Sequence, residues 1–248
     1  MTSGPPVFVS ETAYEHWAQG EVARWREKML APPSAWNRAT RGVQQRINRA
    51  IPEKVHQAVT AVIERMTRSI LVGADVTTAQ PLKGLSLEAR DARAADFIKN
   101  YRTTAAVEGG VTGAGGFWMA AADFPILIGI KIKLLFDLAA IYGHEGEAFG
   151  ERIFILHLFE LAFSSPEHRA DVFRRIEAWQ PAEGPTSFET FDWRRFQQEY
   201  RDYIDLAKLA QMLPVVGAPV GAVVNWGLVG RLGDYAINAY RMRWLAGR

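Results

Sequence analysis

Apolar positions recur at helical spacing along most of the chain. Val55, Val59, Val62, Ile63, Met66 and Ile70 share one face of a segment running from Glu53 to about Leu71, with Pro52 suited to its first turn. Upstream, Ser10 is placed to cap a helix reaching Leu30, Ala31-Pro32-Pro33 stops it, and Ser34 can cap another from Ala35 to Ala50. After a loop at 73–84, Ser86 caps a helix with Leu87, Ala94, Phe97, Ile98 and Tyr101 on its apolar face. Farther on, IFILHLFELAF within a helix from Glu145 to Phe163 is apolar all round except for His157 and Glu160, so that helix is expected to be buried. Ser165-Pro166-Glu167 predicts the start of a helix to about Gln180, 181–190 reads as a linker, and Asp192 can cap a helix to about Met212. Pro219 fits the first turn of a last helix ending near Leu245. No segment alternates with period two, so the fold class is all-α, with roughly eight to ten helices.

Two stretches break the amphipathic pattern. The first, Val107 to Gly143, opens with Gly109, Gly110, Gly113, Gly115 and Gly116, is expected to turn at Asp123-Phe124-Pro125, and continues as an apolar helix to a glycine cap at Gly143. The second, Leu209 to Gly230, is rich in Gly, Ala and Val and carries no charge. Glycine costs a helix on the order of 1 kcal/mol per site relative to alanine, so such a concentration needs a reason. Close approach of two backbones supplies one, and the two stretches are expected to close on each other within a single domain covering residues 1–248. A phosphate loop is excluded by the missing Gly-Lys-Ser/Thr sequence and the missing preceding strand. As membrane spans both are poor: Asp123, Lys131, Lys133 and Asp137 interrupt the first, and Pro214, Pro219, Gln211 and Asn225 the second.

Composition narrows the chemistry. With 48% hydrophobic and 23% charged residues the chain can build a core, and a net charge of +2 gives no reason to expect a nucleic-acid partner. Zero cysteines exclude disulfides, thiolate metal sites and cysteine nucleophiles. No leader-like segment opens the chain, so a cytoplasmic location is expected. Arg231, Arg241, Arg243 and Arg248 weight the C-terminal helix toward positive charge, which could face anionic headgroups.

The candidate chemical groups each have a plain structural reading beside the functional one. Asp123 reads as a cap for the helix after the turn, or as a ligand-binding carboxylate. Lys133 and Asp137, four apart, can pair on one helical face. His157 and Glu160 form a candidate buried pair, either a satisfied core contact or two ligands of a metal or proton site. Arg231 and Asp234, three apart, can bridge, and Asn225 in an apolar run needs a partner. If a polar pocket exists, it is expected where Asp123, Asn225, Arg231 and Asp234 meet between the two small-residue stretches. No catalytic residue, cofactor or metal is assigned.

The glycine-rich stretch, Asp123 and Pro125, Tyr142-Gly143, and then Pro214, Gly217, Ala218 and Asn225 before a basic terminal helix follow one another in an order that resembles the EcsC protein family. The likeness runs from about Ser86 to Leu245, with residues 1–85 less distinct. It implies a bacterial, mostly helical protein associated with an ABC-transporter operon, and no agreed catalytic residues. A non-enzymatic role at the inner membrane face follows from that resemblance, through lipid or a membrane protein such as a transporter. The alternative is a small-molecule or metal-binding protein or enzyme with a pocket in the helical core.

Overall fold

The computed structural model describes residues 12–33, 53–72, 79–114, 116–180 and 218–247, together with 187, 189, 190, 192, 194–196 and 199; the side chains of 53–56, 58, 59, 106–124, 218–222 and 224 are outside the description. Seven helices have both ends among the described residues: α1 (Ala13–Leu30), α2 (Glu53–Val72), α3 (Leu87–Ala114), α4 (Gly116–Ile141), α5 (Phe149–Phe163), α6 (Arg169–Glu177) and α7 (Ala218–Ala246). The expected helix over 35–50, most of the 181–190 linker, and most of the helix expected after Asp192 lie outside the described residues. The all-α class holds.

Local chemistry accounts for the helix ends. Thr12, not Ser10, caps α1: its Oγ1 accepts from the Glu15 N–H, and the Glu15 carboxylate accepts in return from the Thr12 N–H. This reciprocal arrangement satisfies two amides that the helix itself cannot, an advantage Ser10 lacks with no acid three residues on. Ser86 caps α3 through a bond from the Ala89 N–H at 3.3 Å. Gly143 ends α4 with φ of +87°, Gly143 N–H bonding Ala140 O and His144 N–H bonding Ala139 O. Those two bonds form a Schellman closure, which needs the left-handed conformation that glycine adopts without strain. Helix α6 starts at Arg169 rather than Pro166, because Pro166–His168 are spent in a turn that leads the chain off α5.

The turn expected at Asp123-Phe124-Pro125 does not occur. Helix α4 runs through it with Pro125 inside, beginning at Gly116 after α3 ends at Ala114. Asp123 is therefore helical in backbone and lies inside α4 rather than at its start. Pro125 is exposed, so the carbonyl four residues back, deprived of its N–H, lies on the outer face where water can replace the lost bond. Glycines 109, 110 and 113 likewise sit inside α3 rather than in a loop.

Helices α3, α4 and α7 form the centre, and their relative directions follow from contacts along their lengths. Asp91 meets Arg241 while Arg102 meets Trp226, so α3 and α7 are antiparallel. Lys131 meets Asn225 while Tyr142 stacks on Tyr240, so α4 and α7 are parallel. The C-terminal end of α3 and the N-terminal ends of α4 and α7 thus gather at one end of the bundle, bringing its glycine-rich segments together. The most extensive packing is between α7 and α3, so the second small-residue stretch closes on α3 as well as on the apolar helix α4. Close approach is visible at Gly233, where a Cβ would fall 2.5 Å from Ile98 Cδ1. Helix α5 is buried on every side from Ile153 to Phe163 and joins one continuous apolar core with α1, α2 and α6.

Candidate functional site

Opposite the glycine-rich end, the bundle is closed by paired charges. Asp91 on α3 is 4% exposed and takes three partners: Arg241 Nε donates to Oδ2 at 2.8 Å, Tyr14 Oη donates to Oδ2 at 2.8 Å, and Tyr142 Oη donates to Oδ1. Beside it, Arg243 Nη1 donates to both oxygens of Glu151, at 3.1 and 2.8 Å, and Tyr240 Oη donates to Oε1 at 2.7 Å. The Tyr142 and Tyr240 rings stack at 5.2 Å, welding the two clusters into one layer. Burial and the adjacent Asp91 push the Tyr14 phenol up to about 12, and burial raises Tyr142 and Tyr240 well above the usual phenol value. Burial lowers His144, which accepts from Arg243 Nη2, to about 4, so its ring is neutral at physiological pH. Each acceptor here meets a donor, and the phenols stay protonated. Such a layer is a fastener.

A third cluster contains the sequence-predicted pair. His157 Nδ1 lies 3.1 Å from Glu160 Oε2, and Arg175 Nη2 donates to Glu160 Oε1 at 2.7 Å. The guanidinium already neutralises the carboxylate, so a divalent cation would have to displace a positive charge to bind there. Lys133 and Asp137 pair as their spacing predicts, and Asp137 also accepts from Tyr101 Oη at 2.6 Å.

The glycine-rich end is built differently. Lys131 on α4 has 0% exposure, and its ammonium donates to Leu127 O at 3.2 Å and to Asn225 Oδ1 at 2.9 Å. No carboxylate among the described residues neutralises it. Burial pulls its pKa from 10.5 to about 7, because the apolar surroundings favour the uncharged amine. Beside this pair, Arg102 of α3 crosses α7 with its guanidinium carbon 4.4 Å from the centre of the Trp226 ring. Around these cationic groups Val223 is 72% exposed, Trp226 38%, and Ile126 on the outer face of α4 56%.

Of the four residues expected to form one pocket, the three whose side chains are described are not brought together. Asn225 is buried against Lys131, whereas Arg231 and Asp234 are exposed. Nine residues separate Asn225 from Asp234, about half a turn beyond two full turns, which places them on opposite faces of α7. Arg231 and Asp234 form no ion pair with each other among the described residues, and the Asp123 side chain is outside the description. Two of the C-terminal arginines expected to face outward point inward instead: Arg241 and Arg243 are held by Asp91 and Glu151. Sequence reasoning passed over Lys131 as a site residue and missed Arg102. Lys131 carried a signal, since a lysine on the Leu127, Leu134, Leu138 face of an apolar helix has to be buried. Arg102 carried none.

Among the described residues no helix is long and apolar enough to cross a membrane. No solved structure matches the chain. It is 42% identical over 226 residues to Protein EcsC of Bacillus subtilis (strain 168), covering 91% of this chain and 94% of that one. It is also 22% identical over 250 residues to Uncharacterized protein YdbA of the same organism, covering 92% of each. The family described as the EcsC protein family matches residues 17–245, beginning well before the Ser86 limit expected from the motifs and so taking in α1 and α2. By the extent of that match and by its likeness to the Bacillus subtilis protein, the chain belongs to the EcsC protein family.

Proposed function

We propose that this protein acts at a membrane surface, without crossing it, by seating the glycine-rich end of the α3–α4–α7 bundle against lipid. The carrying observation is the exposure of Val223, Ile126 and Trp226 at that end. Large apolar side chains left in water lose the favourable transfer that burial gives, about 1.5–3 kcal/mol each, and a lipid surface recovers part of it. Other exposed apolar residues lie away from that end: Trp17 sits beside Arg241 at the paired end, and Val72 closes α2. Arg231, eight residues beyond Val223 and on the same side of α7, adds an exposed positive charge suited to acidic headgroups. This role does not use the C-terminal pair Arg241 and Arg243, whose charges are already matched.

Flotation with lipid vesicles tests the reading. Wild-type protein should rise with vesicles and Val223→Asp should stay in the dense fraction; equal recovery of both would rule it out. A second reading, a small-molecule binder, is favoured by the Lys131–Asn225 pair, a buried amine held near neutrality beside an amide. Native mass spectrometry separates the two, because a retained metabolite lost on Lys131→Met would select the second.

A further inference from the structure

The position of Arg102 is unusual for a charged side chain. A Cβ placed on Gly230 would fall 3.1 Å from the Arg102 guanidinium carbon and 3.2 Å from Nε, so the side chain lies directly on the α7 backbone. Trp226, one turn earlier on α7, covers it at 4.4 Å. Its Nε is buried and meets no hydrogen-bond acceptor, and no ion pair to Arg102 forms among the described residues. Asp234, on the same side of α7, senses its charge, as it does those of Lys28 and Arg241, but does not close on it. Packing therefore fixes the guanidinium, and among the described residues no acceptor closes on it. Arginine presents its donors as a planar fork that matches the oxygens of a phosphate, and a fork immobilised in advance loses little further freedom on binding.

We infer that Arg102, Trp226 and Gly230 form a seat for the phosphate of an acidic phospholipid. The inference rests on the membrane-surface reading and gives it a ligand. Lipid is favoured over a soluble phosphate by the neighbour Val223, which is 72% exposed and less than one turn from Trp226 on α7. A soluble anion would have no use for that surface, whereas a phospholipid brings acyl chains beside its phosphate. Gly230 lets the guanidinium lie flat on α7, since a side chain there would push it away by a few tenths of an ångström.

Flotation against phosphatidylcholine vesicles, with and without phosphatidylglycerol, tests the seat. Wild-type protein should bind the acidic vesicles more tightly, and Arg102→Gln should lose about tenfold in that affinity, the loss of one charge-assisted contact. Arg102→Lys keeps the charge without the fork and should fall between the two. Asp234→Asn removes a competing carboxylate and should bind at least as well as wild type. Thermal unfolding of each variant reports its folding separately. The seat is overturned if Arg102→Gln loses thermal stability but binds acidic vesicles like wild type, the result for a packing strut. It is also overturned if wild type binds phosphatidylcholine vesicles equally with and without phosphatidylglycerol. Loss of binding by Val223→Asp with Arg102→Gln unaffected would sink the seat and leave membrane attachment standing. Failure of wild type to float with either composition would sink both.

Discussion

At one end of the central bundle, Asp91 and Glu151 each hold an arginine and a tyrosine from elsewhere in the chain, and their two tyrosine rings stack. At the other end, Lys131 is buried and among the described residues meets an amide and a carbonyl but no carboxylate, and Arg102 rests on a tryptophan. The same helices, α3, α4 and α7, run through both. The contrast separates charge used to hold a fold from charge kept available. A buried ion pair with every hydrogen bond made locks helices in register. An unneutralised cation does the reverse and is tolerated only where stability is contributed elsewhere.

The comparison breaks most easily at the paired end. Replacing Arg241 by Met leaves Asp91 buried without its cation and should cost about 3–5 kcal/mol in chemical denaturation. A loss below about 1 kcal/mol, the scale of a surface pair, would mean that the layer does not fasten the bundle.

The lone lysine should behave in the opposite sense. Its folded pKa of about 7 lies below the ordinary 10.5, so between these values the unfolded chain binds more protons than the native protein. Stability from this group is therefore lowest below about pH 7 and rises as pH climbs toward 10. Lys131→Met should stabilise the protein at pH 6 by about 2 kcal/mol and flatten the rise, as measured by thermal unfolding across the pH range. A destabilised variant with the slope intact would show that the ammonium is satisfied in place.

Between the two ends, α3 and α7 touch through glycine. Gly233→Ala places a methyl 2.5 Å from the end of Ile98, and the side chain must shift to admit it. A loss of about 1–2 kcal/mol is expected, with Ile98→Val in the same chain recovering part of it. The smallest effect is expected on the surface: Arg26 and Glu177 are 53% and 32% exposed, and Arg26→Ala should leave the thermal unfolding midpoint unchanged.

What could be read from the sequence was local. Pro32 and Pro33, the Ser86 cap, the left-handed Gly143 and the all-round apolar character of α5 each act within one turn, and the structure has them where the pattern placed them. The same holds for Lys133 with Asp137 and for His157 with Glu160, three or four residues apart on one helix. The paired layer could not be read this way, because Asp91 and Arg241 are 150 residues apart and each looks like an ordinary surface charge on an amphipathic helix. Pro125 misled for a related reason. A proline ends a helix only if its freed carbonyl has nowhere to turn, and exposure is a property of the fold rather than of the dipeptide. The expected pocket failed on helical phase: Asn225 and Asp234 are near in sequence and opposite in space.

Hydrogen–deuterium exchange with and without acidic vesicles tests most directly which end does the work. Attachment through the glycine-rich end should protect amides in residues 125–131 of α4 and 223–231 of α7, while those around Asp91, Tyr142 and Arg241 exchange unchanged. Protection centred on Asp91, Tyr142 and Arg241, or no protection at either end, would contradict it.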